Sequence, residues 1–220
     1  MRFAKNTSSS APTLLRLLEH NAVKTVFFDV DTQLDFLYPA GALFIPGADA
    51  IVNSLAELTN FAAANRIQIV SDVDAHAEDD PEFKVWTPHC VVGTAGQQKA
   101  ACTLLPQRLV LSTAPGALEQ IRPNLHEVQQ IILEKQTLDC FTNSNLPPLL
   151  EALKADHYVV YGVATDICVR HAAFGLLKMH AKVDLVTDAI KAINAQDERE
   201  MIERFQAQGG RLTTVAAVTG

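Results

Sequence analysis

Cys168 is the residue from which chemistry is most readily read. It follows the apolar, β-branched and aromatic run Tyr158–Tyr161 and a turn through Gly162 to Thr165. The spacing then becomes helical at Val169, Ala172, Ala173, Leu176 and Leu177. The cysteine is thus expected in the first turn of a helix at the C-terminal end of a strand, with Thr165 or Asp166 as the cap. Free N–H groups and the positive helix end favour a thiolate there, and a thiolate is a nucleophile. The alternative is a small core residue, a common fate of cysteine.

A nucleophilic thiol needs a base and a nearby cation. Asp31, after the strand Val23–Val30, can take the thiol proton and return it to a leaving amine. Lys135, after the strand Val128–Glu134, can lower the thiol pKa and hold the carboxylate. Taken singly, each could be an ordinary strand-end charge. His171, one turn into the Cys168 helix, is a weaker partner because it falls behind the thiol along the helix.

A second set suits a metal. Asp74 and His76 stand two apart, on one side of an extended chain, and His89 follows with Glu82 between. Two imidazoles and a carboxylate suit zinc, iron or manganese and leave positions open for water or substrate. Asp72 is a rival ligand, and a hydrated polar loop is the alternative for the whole group. Phe36 and Trp86 could form a flat slot for a planar ring, or could be core.

These residues need elements to hold them. The pattern predicts strands at Val23–Val30, Ile67–Val70, Arg108–Ser112, Val128–Glu134, Tyr158–Tyr161, Val183–Val186 and Leu212–Val218. It predicts helices at Ala48–Asn65, at Asn145–Ala155, after Cys168 and at Ala195–Ala207, with a short one around Leu14–Leu18. Long loops are expected at Thr32–Gly47 and Ser71–Gly96. Strands alternating with helices imply an α/β fold, a mostly parallel sheet covered on both faces. Asp31, Asp74, Lys135 and Cys168 then follow different strands and share one sheet edge, where open α/β sheets bind ligands.

The chain has 220 residues, 48% hydrophobic and 20% charged, as expected of an ordinary globular protein. With no repeat or linker, residues 1–220 read as one domain with an N-terminal extension over 1–22. The net charge of −7 argues against general binding to nucleic acid or anionic membranes. The four cysteines have no CxxC spacing and read as reduced thiols of a cytoplasmic protein.

The chain resembles the isochorismatase-like cysteine hydrolases, and among them the nicotinamidases (pyrazinamidases). The matching segments are Phe28-Asp29-Val30-Asp31-Thr32-Gln33-Leu34-Asp35-Phe36, Asp74-Ala75-His76, Trp86-Thr87-Pro88-His89-Cys90-Val91-Val92-Gly93-Thr94, Lys135, and Gly162-Val163-Ala164-Thr165-Asp166-Ile167-Cys168-Val169. The resemblance implies a three-layer α/β/α fold with a Cys168–Asp31–Lys135 triad. It implies a cis peptide between Val163 and Ala164, which turns the Ala164 amide toward an oxyanion alongside that of Cys168. It implies a divalent metal, zinc most often, on Asp74, His76 and His89, with Glu82 added in some members. It assigns Trp86 to ring stacking, an amide as the small-molecule substrate, and a homo-oligomer as the assembly. Departures are Ala75, where an aromatic is commoner, and the acid-rich stretch at 77–85. Rival readings are another amidase of the family, acting on a carbamoyl or acyclic amide, and a non-catalytic metal or redox protein on the same scaffold.

Overall fold

The computed structural model describes residues 23–220, so the helix expected around Leu14–Leu18 lies outside the described residues. The elements are β1 (Thr25–Val30), α1 (Leu34–Leu37), α2 (Val52–Asn65), β2 (Gln68–Asp74), β3 (Arg108–Leu111), α3 (Ala117–Ile121), β4 (Gln130–Lys135), α4 (Leu146–Leu153), β5 (His157–Val163), α5 (Cys168–Lys178), β6 (Lys182–Lys191), α6 (Ala195–Ala207), β7 (Arg211–Thr213) and α7 (Val215–Thr219). All seven strands are parallel, in the order β3-β4-β2-β1-β5-β6-β7.

Alternation along the strands builds two cores. Val26, Phe28 and Val30 of β1, with Tyr158 and Val160 of β5, face the layer of α3, α4, α5 and α6. Phe27, Val159, Tyr161 and Val163 face α2 and α7 through Leu55, Leu58, Ala62 and Val215. Each sheet face therefore carries its own helical layer, and the protein is a three-layer α/β/α sandwich.

The described residues enter the sheet at its middle, at β1, build outward on one side through β2, and cross back to β5 on the other. That reversal between β1 and β5 is the switch point at which such sheets open a crevice. At Gly162 of β5 an added Cβ would lie 2.0 Å from Val30 O, so a residue without a side chain lets the two strands approach at this point.

Several expected boundaries move. β2 runs on to Asp74 rather than ending at Val70, because pairing with β1 and β4 continues through Ser71 and Asp72. β6 likewise passes Val186 and reaches Lys191, after a register shift opposite Val160 and Gly162. The expected last strand breaks at Thr214, whose hydroxyl caps α7 by accepting from Ala217 N at 3.3 Å. The residue at the cap of α5 is Ile167, not Thr165 or Asp166. The Asp166 carboxylate instead accepts from the amides of Ile193 and Asn194.

Candidate active site

Four neighbouring strands deliver one charged or thiol group each to the same sheet edge. Asp31 follows β1, Asp74 ends β2, Lys135 ends β4 and Cys168 opens α5 just after β5. The Lys135 ammonium donates to Asp31 Oδ2 at 2.9 Å and to Asp74 Oδ1, and it lies 3.9 Å from Cys168 Sγ. Lys135 and Asp31 are inaccessible to solvent and Cys168 nearly so. The three residues expected to act together are therefore in contact. Asp31 takes a left-handed backbone (φ 48°), a conformation Asp tolerates better than most residues. The peptide between Val163 and Ala164 is cis.

The electrostatics of this cluster are set by burial and mutual charge. Burial pushes the Lys135 ammonium down, but Asp31 and Asp74 outweigh it and raise its pKa well above the usual value. Burial and the Asp74 carboxylate push Asp31 up, Lys135 pulls it back, and the result is about 6. Burial drives the Cys168 thiol well above its ordinary value despite Lys135. That overturns the expectation of a thiolate stabilised by the helix end, because dehydration of the sulfur outweighs the favourable charge beside it. The thiol rests protonated, next to a carboxylate able to accept its proton.

Asp74, His76 and His89 also meet, with one ligand atom from each inside a 4.8 Å cluster. Asp74 Oδ2 lies 3.6 Å from His76 Nε2 and 3.4 Å from His89 Nε2. Glu82 Oε1 lies 3.9 and 4.0 Å from the same two nitrogens. His89 Nδ1 lies 2.7 Å from Thr87 O, and a carbonyl only accepts, so Nδ1 carries the proton and Nε2 offers its lone pair to the cluster. His76 Nδ1 faces Asp80 Oδ2 at 3.0 Å in the same way. His76 Nε2 and Glu82 Oε1 are buried with no hydrogen-bond partner among the described residues.

Two imidazole nitrogens and two carboxylate oxygens converge here, one of each buried without a partner, and such a donor set fits a divalent cation. The field is consistent with this. Burial pushes His76 down, but Asp74 and Asp80 outweigh it and raise it to about 9, so the site strongly favours positive charge. Lys135 holds Asp74 far below the usual carboxylate range against the effect of burial.

Asp72 does not join this set. It is fully buried deeper in the sheet, and burial together with the Asp31 charge pushes its carboxyl well above the usual range, so it stays neutral and makes a poor ligand. His171 does not join the triad. It sits 3.6 Å from Asp139 and lines a separate groove on the outside of α5.

A cavity with an empty volume of about 330 Å³ opens over both clusters. Asp31, Asp74, Glu82, His89, Ala164 and Cys168 line its floor and side, and Phe36 and Trp86 both border it. Leu43, Leu138, Ile167 and Ile193 complete an apolar wall.

Sequence reasoning missed the supports. Gln33 clamps the Asp74 backbone in both directions, accepting from its N–H at 2.7 Å and donating to its carbonyl at 2.8 Å. Asp35 accepts from Cys90 N at 2.7 Å and fixes the segment after His89. Lys99 forms a buried ion pair with Asp29 at 2.7 Å, on the sheet face away from Asp72. Gln33 and Asp35 lay inside the matched motif, so their signal was present; nothing local marks Lys99 as buried.

The isochorismatase domain family matches residues 25–217. This chain belongs to that family. Curated relatives of the isochorismatase-family chain include the nicotinamidase of Escherichia coli (strain K12), 24% identical over 213 residues, covering 85% of this chain and 93% of the relative. Among solved structures it is similar to the pyrazinamidase of Pyrococcus horikoshii in complex with zinc, with a TM-score of 0.73 and 26% identity over 87% of this chain and 99% of the other. N-carbamoylsarcosine amidase from Thermoplasma acidophilum shares the fold at a TM-score of 0.70 and 24% identity, over 90% and 99% of the two chains. No helix among the described residues is long and apolar enough to cross a membrane.

Proposed function

We propose that this isochorismatase-family protein is a metal-dependent cysteine amidohydrolase that converts nicotinamide to nicotinate and ammonia. The observation that carries the reading is the meeting of Cys168 and Asp31, which line the cavity, with Lys135 beneath them, where Asp74, His89 and two aromatic rings also line the cavity. The zinc-complexed pyrazinamidase and the nicotinamidase relative support the ring amide as substrate. So does the cavity, whose lining among the described residues holds no lysine or arginine to meet an anionic substrate.

The steps follow from the groups present. Asp31 removes the Cys168 proton as the sulfur attacks the carboxamide carbon. The amides of Ala164 and Cys168 donate to no protein acceptor among the described residues and are free to hold the oxyanion. Asp31 returns the proton to nitrogen as ammonia leaves with the C–N bond. It then activates water, which cleaves the thioester to the acid and restores the thiol. Lys135 keeps its charge throughout and fixes Asp31 in reach of the sulfur. Asp74, His76 and His89, with Glu82, would hold a divalent metal, zinc first with iron or manganese as alternatives, and a metal there supplies a Lewis-acid anchor for a pyridine nitrogen.

An ammonia-release assay on nicotinamide, pyrazinamide, a carbamoyl amino acid and an aliphatic amide tests the reading. Turnover of the ring amides, with a loss of more than about a hundredfold in Cys168→Ala, is the expected result. Retained turnover in that variant sinks the mechanism, and turnover confined to the carbamoyl or aliphatic amides replaces the substrate.

A further inference from the structure

We infer that Asp80 is a positioning residue that prepares two of the four proposed metal ligands, an inference that rests on the metal-site reading above. Its two carboxylate oxygens are divided between them. Oδ2 faces His76 Nδ1 at 3.0 Å, and Oδ1 accepts from the Glu82 backbone N–H at 2.9 Å. The first contact fixes a tautomer. A carboxylate only accepts, so the imidazole proton is held at Nδ1 and the lone pair of Nε2 is aimed at Asp74 and Glu82. The second contact caps the short turn Pro81–Lys84, which brings Glu82 Oε1 within 3.9 Å of that same nitrogen.

What distinguishes this arrangement from an ordinary turn cap is its far end. His76 is completely buried, and its Nε2 has no hydrogen-bond partner among the described residues. A cap alone has no need of an imidazole so placed. The Asp80 side chain is itself only 10% exposed, so water competes weakly for its oxygens. His89 has its tautomer set by a backbone carbonyl, Thr87 O, whereas His76 depends on a side chain and can be altered by substitution.

The test separates orientation from capping. Asn caps a turn as well as Asp does. Asp80→Asn keeps one oxygen for Glu82 N–H but turns an NH₂ group toward His76 Nδ1, which forces the proton onto Nε2, facing the metal. Zinc affinity of the full chain, measured by chelator competition, is expected to fall about 10–100-fold in both Asp80→Ala and Asp80→Asn. Recorded at a pH high enough for the imidazole to be neutral, the ¹⁵N resonances of the metal-free protein should report His76 protonated at Nδ1 in the wild type and at Nε2 in Asp80→Asn. Its melting temperature should stay at the wild-type value. Wild-type zinc affinity in Asp80→Asn, with loss only in Asp80→Ala, reduces Asp80 to a cap and overturns the inference while the metal site stands. A wild-type chain that takes up no zinc, cobalt or manganese overturns both.

Discussion

In the proposed mechanism Asp31 must be unprotonated to accept the thiol proton, and burial with the Asp74 charge raises its pKa to about 6. The base form therefore predominates above pH 6 and is lost below it. With metal held in excess, kcat/KM is expected to fall about tenfold per unit on the acid side, with a midpoint no higher than about 6 because a cation on Asp74 cancels part of the charge that raises Asp31, and the fall is absent from the residual activity of Asp31→Asn. A profile with no fall on the acid side would remove Asp31 from the role of base. The thiol shows where residue-level inference ended. Its place at a helix start was readable from spacing and argued for a thiolate, yet the degree of burial at Cys168 is a property of the packed molecule and reversed the sign. Trp86 and Phe36 could be singled out by type and the Asp74–His76–His89 set by type and spacing, and the first two border the cavity while the last three meet in one cluster. Asp80 was missed although it lies four residues after His76, because it reads as one more acid in an acidic loop.

At the scale of elements, the site depends on how closely β5 lies against β1. A methyl group at Gly162 meets Val30 O at 2.0 Å, and the φ of +121° disfavours any other residue. Gly162→Ala is expected to cost about 1–3 kcal/mol and to lower kcat with it, because the clash lies one residue from Asp31 and one from Val163. Gly93→Ala is the control: φ there is +86° but the space around it is open. Equal stability and activity in the two variants would show that strand approach does not set the site. The strands β1, β4 and β5 and the helices α2, α4 and α6 were legible because their apolar residues follow clean periods. The end of β2 was hidden because Ser71, Asp72 and Asp74 look like loop. They stay in the sheet because neighbouring strands satisfy their backbone, and Asp29 and Lys135 meet the Ser71 and Asp74 side chains. The tail Leu212–Val218 looked like one strand because a helix this short shows no full period.

Across the molecule, the two sheet faces are unequal. One packs mainly apolar side chains against α4 and α5, with Asp72 buried among them, whereas the other carries the Asp29–Lys99 pair, with Thr32 and Ser71 donating to the same carboxylate oxygen. Lys99→Met leaves that carboxylate buried without its cation and is expected to destabilise the fold by about 3–5 kcal/mol in chemical denaturation; Asp29→Asn in the same chain should recover part of the loss. Unchanged stability in Lys99→Met would mean that the hydroxyls suffice. A pair joined across 70 positions of sequence leaves no local trace, which is why composition and spacing could not announce it. The cavity is divided in a different way. Its reactive groups sit at the ends of the central strands, whereas Leu43, Leu138 and Ile193 reach its wall from three separate connecting segments. Substitutions at these three positions can therefore reshape what the cavity admits without touching the groups at the strand ends.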